Sequence, residues 1–223
     1  MDMQEKNITD FGQQLLIQPD SGHRILCLSV IGEIEGHEDL PVKTKTTKYE
    51  HLLPLLVRAQ DDPGIDGVLL LINTMGGDCS CGLALAETAA SITKPVVSLI
   101  IGDSHSIGVP LSVAADRTFI APTATMIIHP VRLNGTVIGA PQTFEYFRLI
   151  QDRILDFTVA HSQALKPELL EMMMRKGIMA KDIGTILVGE EAVDAGLADA
   201  VGGVSDALKW LHRQIKNREN VKK

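Results

Sequence analysis

The sequence predicts an α/β chain, a mostly parallel sheet with helices packed against it. Three observations point there. Short and almost continuous apolar runs, at Arg24 to Ile31, Gly67 to Asn73 and Pro95 to Ile101, suit strands covered on both faces. Segments of helical periodicity alternate with them, at His51 to Ala59 and Ser80 to Ser91. Breakers separate the two kinds, most clearly Asp61-Asp62-Pro63-Gly64. Nothing in the chain reads as a repeat or an internal linker. The simplest organisation is an N-terminal arm over residues 1–23 and one domain over 24–223.

Taken in order, the arm is polar with weak periodicity, and the first strand ends at Gly32. Glu33 to Lys48 is polar, contains Pro41 and the run Lys43-Thr44-Lys45-Thr46-Thr47-Lys48, and reads as an exposed loop. After the helices and strands named above, Ser106 to Ala115 reads as helix. Short strands follow at Thr118 to Ala121 and Met126 to His129. A long helix starts near Pro141, a residue suited to a first helical turn, and runs to about Ala164. Phe144, Phe147, Leu149, Ile154 and Phe157 are among its apolar positions. Another helix spans Pro167 to Gly177. Ser205 can cap the last one, where Leu208, Leu211 and Ile215 share a face.

Composition excludes several classes. At 223 residues the chain can bury a sizeable core, and 45% apolar with 22% charged residues is globular. With aromatics at only 4%, aliphatic side chains must supply the packing. A net charge of -7 argues against nucleic acid or an anionic membrane surface as partner. The start Met1-Asp2-Met3-Gln4-Glu5 lacks the basic and apolar blocks of a leader. Apolar runs such as Val68 to Ile72 and Val96 to Ile101 fall far short of the roughly 20 residues a membrane span needs. Cys27, Cys79 and Cys81 have no framework spacing, which suits a reducing compartment and a cytoplasmic location. A single C-x-C without a second pair reads as helix-start residues, so neither metal nor cofactor is expected. Met172-Met173-Met174 reads as core or interface filler, and Lys216, Arg218, Lys222 and Lys223 as a solvated helix end.

Chemistry concentrates in three segments, each at the C-terminal end of a strand, where open α/β sheets place their sites. Asn73-Thr74-Met75-Gly76-Gly77-Asp78 leaves a strand and enters a helix; its glycines suit either a plain turn or a close approach to an anion. Gly102-Asp103-Ser104-His105-Ser106-Ile107-Gly108 carries two serines that can each cap a helix or act as a nucleophile at its start. Met126-Ile127-Ile128-His129-Pro130 closes an apolar strand with a histidine, a satisfied core residue or a rigid general base. Taken together they supply an oxyanion donor, a nucleophile and a base on successive strand ends.

These segments resemble a known family. Leu71-Ile72-Asn73-Thr74-Met75-Gly76-Gly77 resembles the I-N-S-P-G-G oxyanion segment of the proteolytic subunit of the Clp protease (ClpP). His105-Ser106-Ile107-Gly108 resembles its A-S-M-G nucleophile turn, and Met126 to Pro130 its M-I-H-Q-P base segment. Glu191-Ala192-Val193-Asp194-Ala195-Gly196-Leu197-Ala198-Asp199 is similar to its E-A-x-x-x-G-L-x-D. The likeness spans about Ile25 to Asp199. Within the family, Lys45 to His51, His105 to Pro110 and Pro141 to Tyr146 look most like the translocation-enhancing, TepA-like branch.

The resemblance implies a ClpP/crotonase-like fold with a protruding handle helix, and serine endopeptidase activity on short or unfolded peptides. Ser106 would attack, His129 would take its proton, and the N–H groups of Gly77 and Ile107 would hold the oxyanion. Leu133, Asn134, Gly135, Thr136, Val137 and Ile138 would form an edge that pairs with substrate backbone. The family's third triad member falls on or near Gly184, and Asp182, two residues away, takes that role in this reading. Two further departures are Thr74-Met75 in place of Ser-Pro and a longer loop over about Glu38 to Lys48, where the family's ATPase docks. The implied partners are a second copy of the chain, in rings that stack through the long helix, and the peptide substrate; an ATPase unfoldase stays open. Two alternatives stand beside this reading: a catalytically weak scaffold or peptide-binding protein, and a crotonase-type acyl-CoA enzyme.

Overall fold

The computed structural model describes residues 12–37, 39–41, 43–132, 139–176 and 184–221. Its centre is one nine-stranded sheet: β1 (Gln13–Ile17), β2 (Arg24–Glu35), β3 (Thr46–Lys48), β4 (Gly67–Gly77), β5 (Val96–His105), β6 (Arg117–Ile120), β7 (Thr125–Ile128), β8 (Thr185–Val188) and β9 (Ala200–Val201). The main path runs β1-β2-β4-β5-β6-β9, with β3 beside β2 and β7 between β5 and β8. Pairing is parallel except for β1 on β2 and β8 on β7. Seven helices are described: α1 (Tyr49–Asp61), α2 (Cys79–Ala90), α3 (Gly108–Val113), α4 (Ala140–Ala160), α5 (Lys166–Met174), α6 (Glu190–Asp194) and α7 (Val204–Val221).

Period-two alternation divides the central strands between two cores. Leu26, Leu28, Val30, Val68, Leu70, Ile72, Val96 and Ile100 join the larger cluster, with side chains from α1 to α6. Ile25, Cys27, Leu69, Val97 and Leu99 face the other way, onto Ala207, Leu211 and Ile215 of α7. A strand covered on both faces must be apolar at every position, which is why these runs lack alternation in the sequence.

Several elements outrun their sequence signal. The N-terminal arm contains β1, which pairs residue for residue with Arg24 to Leu28 and so belongs to the sheet. Gly32 does not end β2; the strand continues to Glu35, and the segment read as an exposed loop contains buried Ile34 and Glu35 and ends in β3. Glu35 accepts the Leu40 N–H at 3.0 Å and meets Lys48 Nζ at 3.1 Å, so a buried carboxylate fastens this polar stretch to the sheet. The last helix starts at Val204, leaving Ser205 inside its first turn. The reach-back comes instead from Asp206, whose carboxylate accepts the Gly203 N–H at 3.0 Å.

Two features of the sheet position the site. β4 gains an extra residue against β2, since Gly32 pairs with Thr74 but Glu33 pairs with Gly76; Met75 is the bulged residue and stands exposed. β5 changes neighbour along its length, pairing with β6 over Val97 to Ile100 and with β7 over Asp103 to His105. The tips of β4, β5 and β7 therefore lie side by side.

Candidate active site

Ser106 follows the last residue of β5 at φ 56, the one non-glycine residue with positive φ among those described. An L-residue adopts that angle only where its surroundings hold it. Here two hydrogen bonds hold it: its N–H donates to the Ile127 carbonyl on β7 at 2.9 Å, and its own carbonyl accepts from Val109 N–H at 3.0 Å, opening α3. The turn presents a half-buried hydroxyl at a sharp strand-to-helix corner, as a nucleophile elbow does. Ser104, the other serine of the segment, is fully buried with its Oγ 2.7 Å from Ser112 Oγ, so it has no access to a substrate.

Gly76 and Gly77 belong to the end of β4 rather than to a free turn, at φ 90 and φ 148. The buried Thr74 hydroxyl organises them, donating to the Gly32 carbonyl at 2.6 Å and accepting the Gly76 N–H at 3.1 Å. A Cβ on Gly76 would stand 2.7 Å from Ser106 Cβ and 3.3 Å from the Ile107 nitrogen. A Cβ on Gly77 would stand 2.2 Å from the Ile34 carbonyl oxygen. Only glycine lets the β4 backbone press this closely against residues 105–107 and against β2.

His129 directly follows β7. Its Nδ1 lies 2.7 Å from the Pro130 carbonyl oxygen. A carbonyl can only accept, so in this bond Nδ1 carries the hydrogen and Nε2 keeps the lone pair a general base uses. Gly184, at φ 144, packs against the backbone of Ile128 and His129; a Cβ there would meet the Ile128 carbonyl oxygen at 2.6 Å and His129 Cβ at 3.0 Å. The position that motif spacing gives to a triad carboxylate is thus filled by backbone.

Gly77, Ser106, Ile107 and His129 all line one cavity of about 140 Å³. Its walls are mainly apolar: Val109, Ile128, Ile154, Leu155, Leu169 and Met173 among them, with Arg132 and Thr158 as polar exceptions. Cys79 also lines it, but burial and then Asp78 push its thiol upward, so it stays protonated at neutral pH and is no competitor to Ser106. Asp182 and the stretch Leu133, Asn134, Gly135, Thr136, Val137 and Ile138 lie outside the described residues. Among the described residues no group of three or more His, Cys, Asp or Glu is arranged to hold a metal ion, and no helix is long and apolar enough to cross a membrane.

Sequence reasoning missed most of the cavity wall. Met173 lines the cavity, whereas Met172 is buried core and Met174 is exposed, so the three methionines do different things. In the sequence Ile154 is one apolar position of a long helix among several, and Leu155 and Leu169 carry no signal of their own. Which face of α4 and α5 reaches Ser106 depends on how those helices cross β7, and periodicity carries no such information.

This constellation, on this sheet, defines a class. The chain belongs to the Clp protease family, whose profile matches residues 36–205, and its fold is the ClpP/crotonase-like fold. It is 50% identical over 195 residues to the translocation-enhancing protein TepA of Halalkalibacterium halodurans, covering 87% of this chain and 76% of that protein. It is 35% identical over 86 residues to the ATP-dependent Clp protease proteolytic subunit 1 of Protochlamydia amoebophila, covering 38% of this chain and 41% of the relative. Against the same subunit of Chlamydia abortus it is 27% identical over 140 residues, covering 60% and 69%. Family membership supports a peptidase-type function.

Proposed function

We propose that this protein is a serine endopeptidase of short or unfolded peptides, with Ser106 as nucleophile and His129 as general base. The observation that carries the reading is the strained turn at Ser106, pressed against Gly76 and opening on the cavity that His129 lines. Strain at a non-glycine residue persists where it serves an exposed reactive group. In the reaction His129 Nε2 removes the hydroxyl proton as Ser106 Oγ adds to the peptide carbonyl. The backbone N–H groups of Gly77 and Ile107 receive the developing oxyanion, a contribution typically worth a factor of about 100 to 1,000 in rate. His129 then gives its proton to the leaving amine, and water repeats the cycle on the acyl-enzyme.

The cavity supports a preference for apolar side chains next to the scissile bond, since aliphatic residues form most of its wall. Leu133 to Ile138 would hold substrate backbone as an added strand, and Asp182 would orient the base. Self-association through α4 is supported by exposed Phe144, Tyr146 and Leu149 on the helix's first half. One domain over 24–223, joined by β1, and a cytoplasmic location complete the reading.

A fluorophosphonate probe should label the wild-type chain and leave Ser106→Ala unlabelled, with His129→Ala nearly as unreactive. Equal labelling of wild type and Ser106→Ala would end the assignment. A second reading, a weakly catalytic peptide-binding protein, is favoured by backbone filling the Gly184 position; Ser106-dependent cleavage of a reporter peptide decides against it. The acyl-CoA alternative finds no support in the cavity, whose described lining offers no Asp or Glu to act as acid or base.

A further inference from the structure

A second imidazole lies beside the reacting pair, where the tips of β5 and β7 meet. Asp103 pairs with Thr125, and His105 with Ile127, in the parallel β5–β7 register. Period-two alternation then sets Asp103, His105, Thr125 and Ile127 on one face, with Ser104 and Met126 on the other, and His129 follows two residues beyond Ile127. His105 is buried, 7% exposed, and immediately precedes Ser106. It stands where the family's A-S-M-G turn has alanine.

Hydrogen bonding defines the state of this histidine. The Thr125 hydroxyl donates to Asp103 Oδ1 at 2.8 Å, because a carboxylate oxygen accepts. With its single proton so used, Thr125 Oγ1 accepts from His105 Nε2, 2.7 Å away. The same Nε2 lies 3.2 Å from Asp103 Oδ1. The hydrogen therefore sits on Nε2, and Nδ1 is a buried lone pair with no hydrogen-bond partner among the described residues. Nothing in the hydrogen bonding of the strand requires such a group, and it costs stability to bury one.

We propose that His105, held by Asp103 and Thr125, is a positioning residue for catalysis that sets the readiness of His129 to take the Ser106 proton. The inference rests on the reading of Ser106 and His129 as the reacting pair. Burial is the main influence on His105 and lowers its pKa; Asp103 raises it and His129 lowers it. Asp103 and His129 are the titratable groups that act on it, while the facing positions on β4, β7 and β8, Asn73, Thr125, Ile127 and Ile186, are uncharged. A neutral His105 leaves the Asp103 charge uncancelled, so that charge favours the imidazolium forming at His129. Once protonated, His105 cancels Asp103 and adds repulsion of its own. The Asp103-His105 pair thus acts on the base from the side, through charge.

The test is the pH dependence of fluorophosphonate labelling of the full chain, in wild type, Asp103→Asn and His105→Gln. Removing the Asp103 charge should move the acid limb of the profile to lower pH by about half a unit or more and slow the plateau roughly three- to ten-fold. Removing the His105 imidazole, which repels the His129 imidazolium once it takes up a proton in the acid range, should move the limb the opposite way. A merely structural role would slow both variants without moving the limb. Ser106-dependent labelling with an unmoved limb, or with both limbs moved in one direction, overturns this inference and leaves the peptidase reading standing. Labelling that persists in Ser106→Ala overturns both. If His105→Gln does not fold, Asp103→Asn, at a side chain 40% exposed, carries the test alone.

Discussion

Two hydrogen bonds, one to β7 and one into α3, hold the Ser106 backbone at an angle that costs of order 1–3 kcal/mol. The neighbouring glycines accept the shape this imposes, and each does so for its own reason. Gly76 must approach Ser106, Gly77 must clear β2, and Gly184 must clear both Ile128 and His129. The last case gives a prediction that runs against motif logic. Restoring the family's carboxylate as Gly184→Asp should lower Ser106 labelling, by about ten-fold or more, because its Cβ displaces His129 before the carboxylate can reach Nδ1. Measured labelling faster than wild type would show that the loop gives way instead.

At the scale of elements, α4 divides into two parts. Ile150, Leu155, Phe157 and Thr158 are buried in this chain, while Phe144, Tyr146 and Leu149 stand more than half exposed. Each such apolar side chain is worth about 1.5–3 kcal/mol when covered. Phe144→Glu with Leu149→Lys should shift the protein to smaller species in analytical ultracentrifugation while its circular dichroism stays unchanged. The segment from β2 to β3 depends on Glu35, whose pKa the Thr46 hydroxyl, the Leu40 N–H and Lys48 lower to about 2. A depressed carboxyl contributes stability above its unfolded pKa of 4.5 and loses it as pH falls through about 2. Amide exchange in residues 39–48 should therefore accelerate between pH 4.5 and 2 in wild type, and already be fast above pH 4.5 in Glu35→Gln.

Over the whole molecule, the sheet separates two cores of unequal size, and among the described helices α7 covers the smaller one. Leu211, fully buried against β4 and β5, is its centre. Leu211→Ala should cost about 2–5 kcal/mol in chemical denaturation while Ser106 labelling of the folded fraction persists, since the cavity lies in the other core. The sequence by itself determined the α/β rhythm, the strand cores and the three segments of the candidate site, because apolar runs, breakers and glycines act over a few residues. It did not reveal β1 or β3, whose exposed or polar residues are strands only through pairing with β2. Local chemistry did not distinguish Ser106 from Ser104 either; within the sequence only the family resemblance favoured Ser106. The tertiary structure separates the two, burying Ser104 against Ser112 while Ser106 lines the cavity. The same holds for His105 and Asp103, which meet Thr125 only because β5 leaves β6 to pair with β7. Register between distant strands brings such groups together, and no local pattern encodes it.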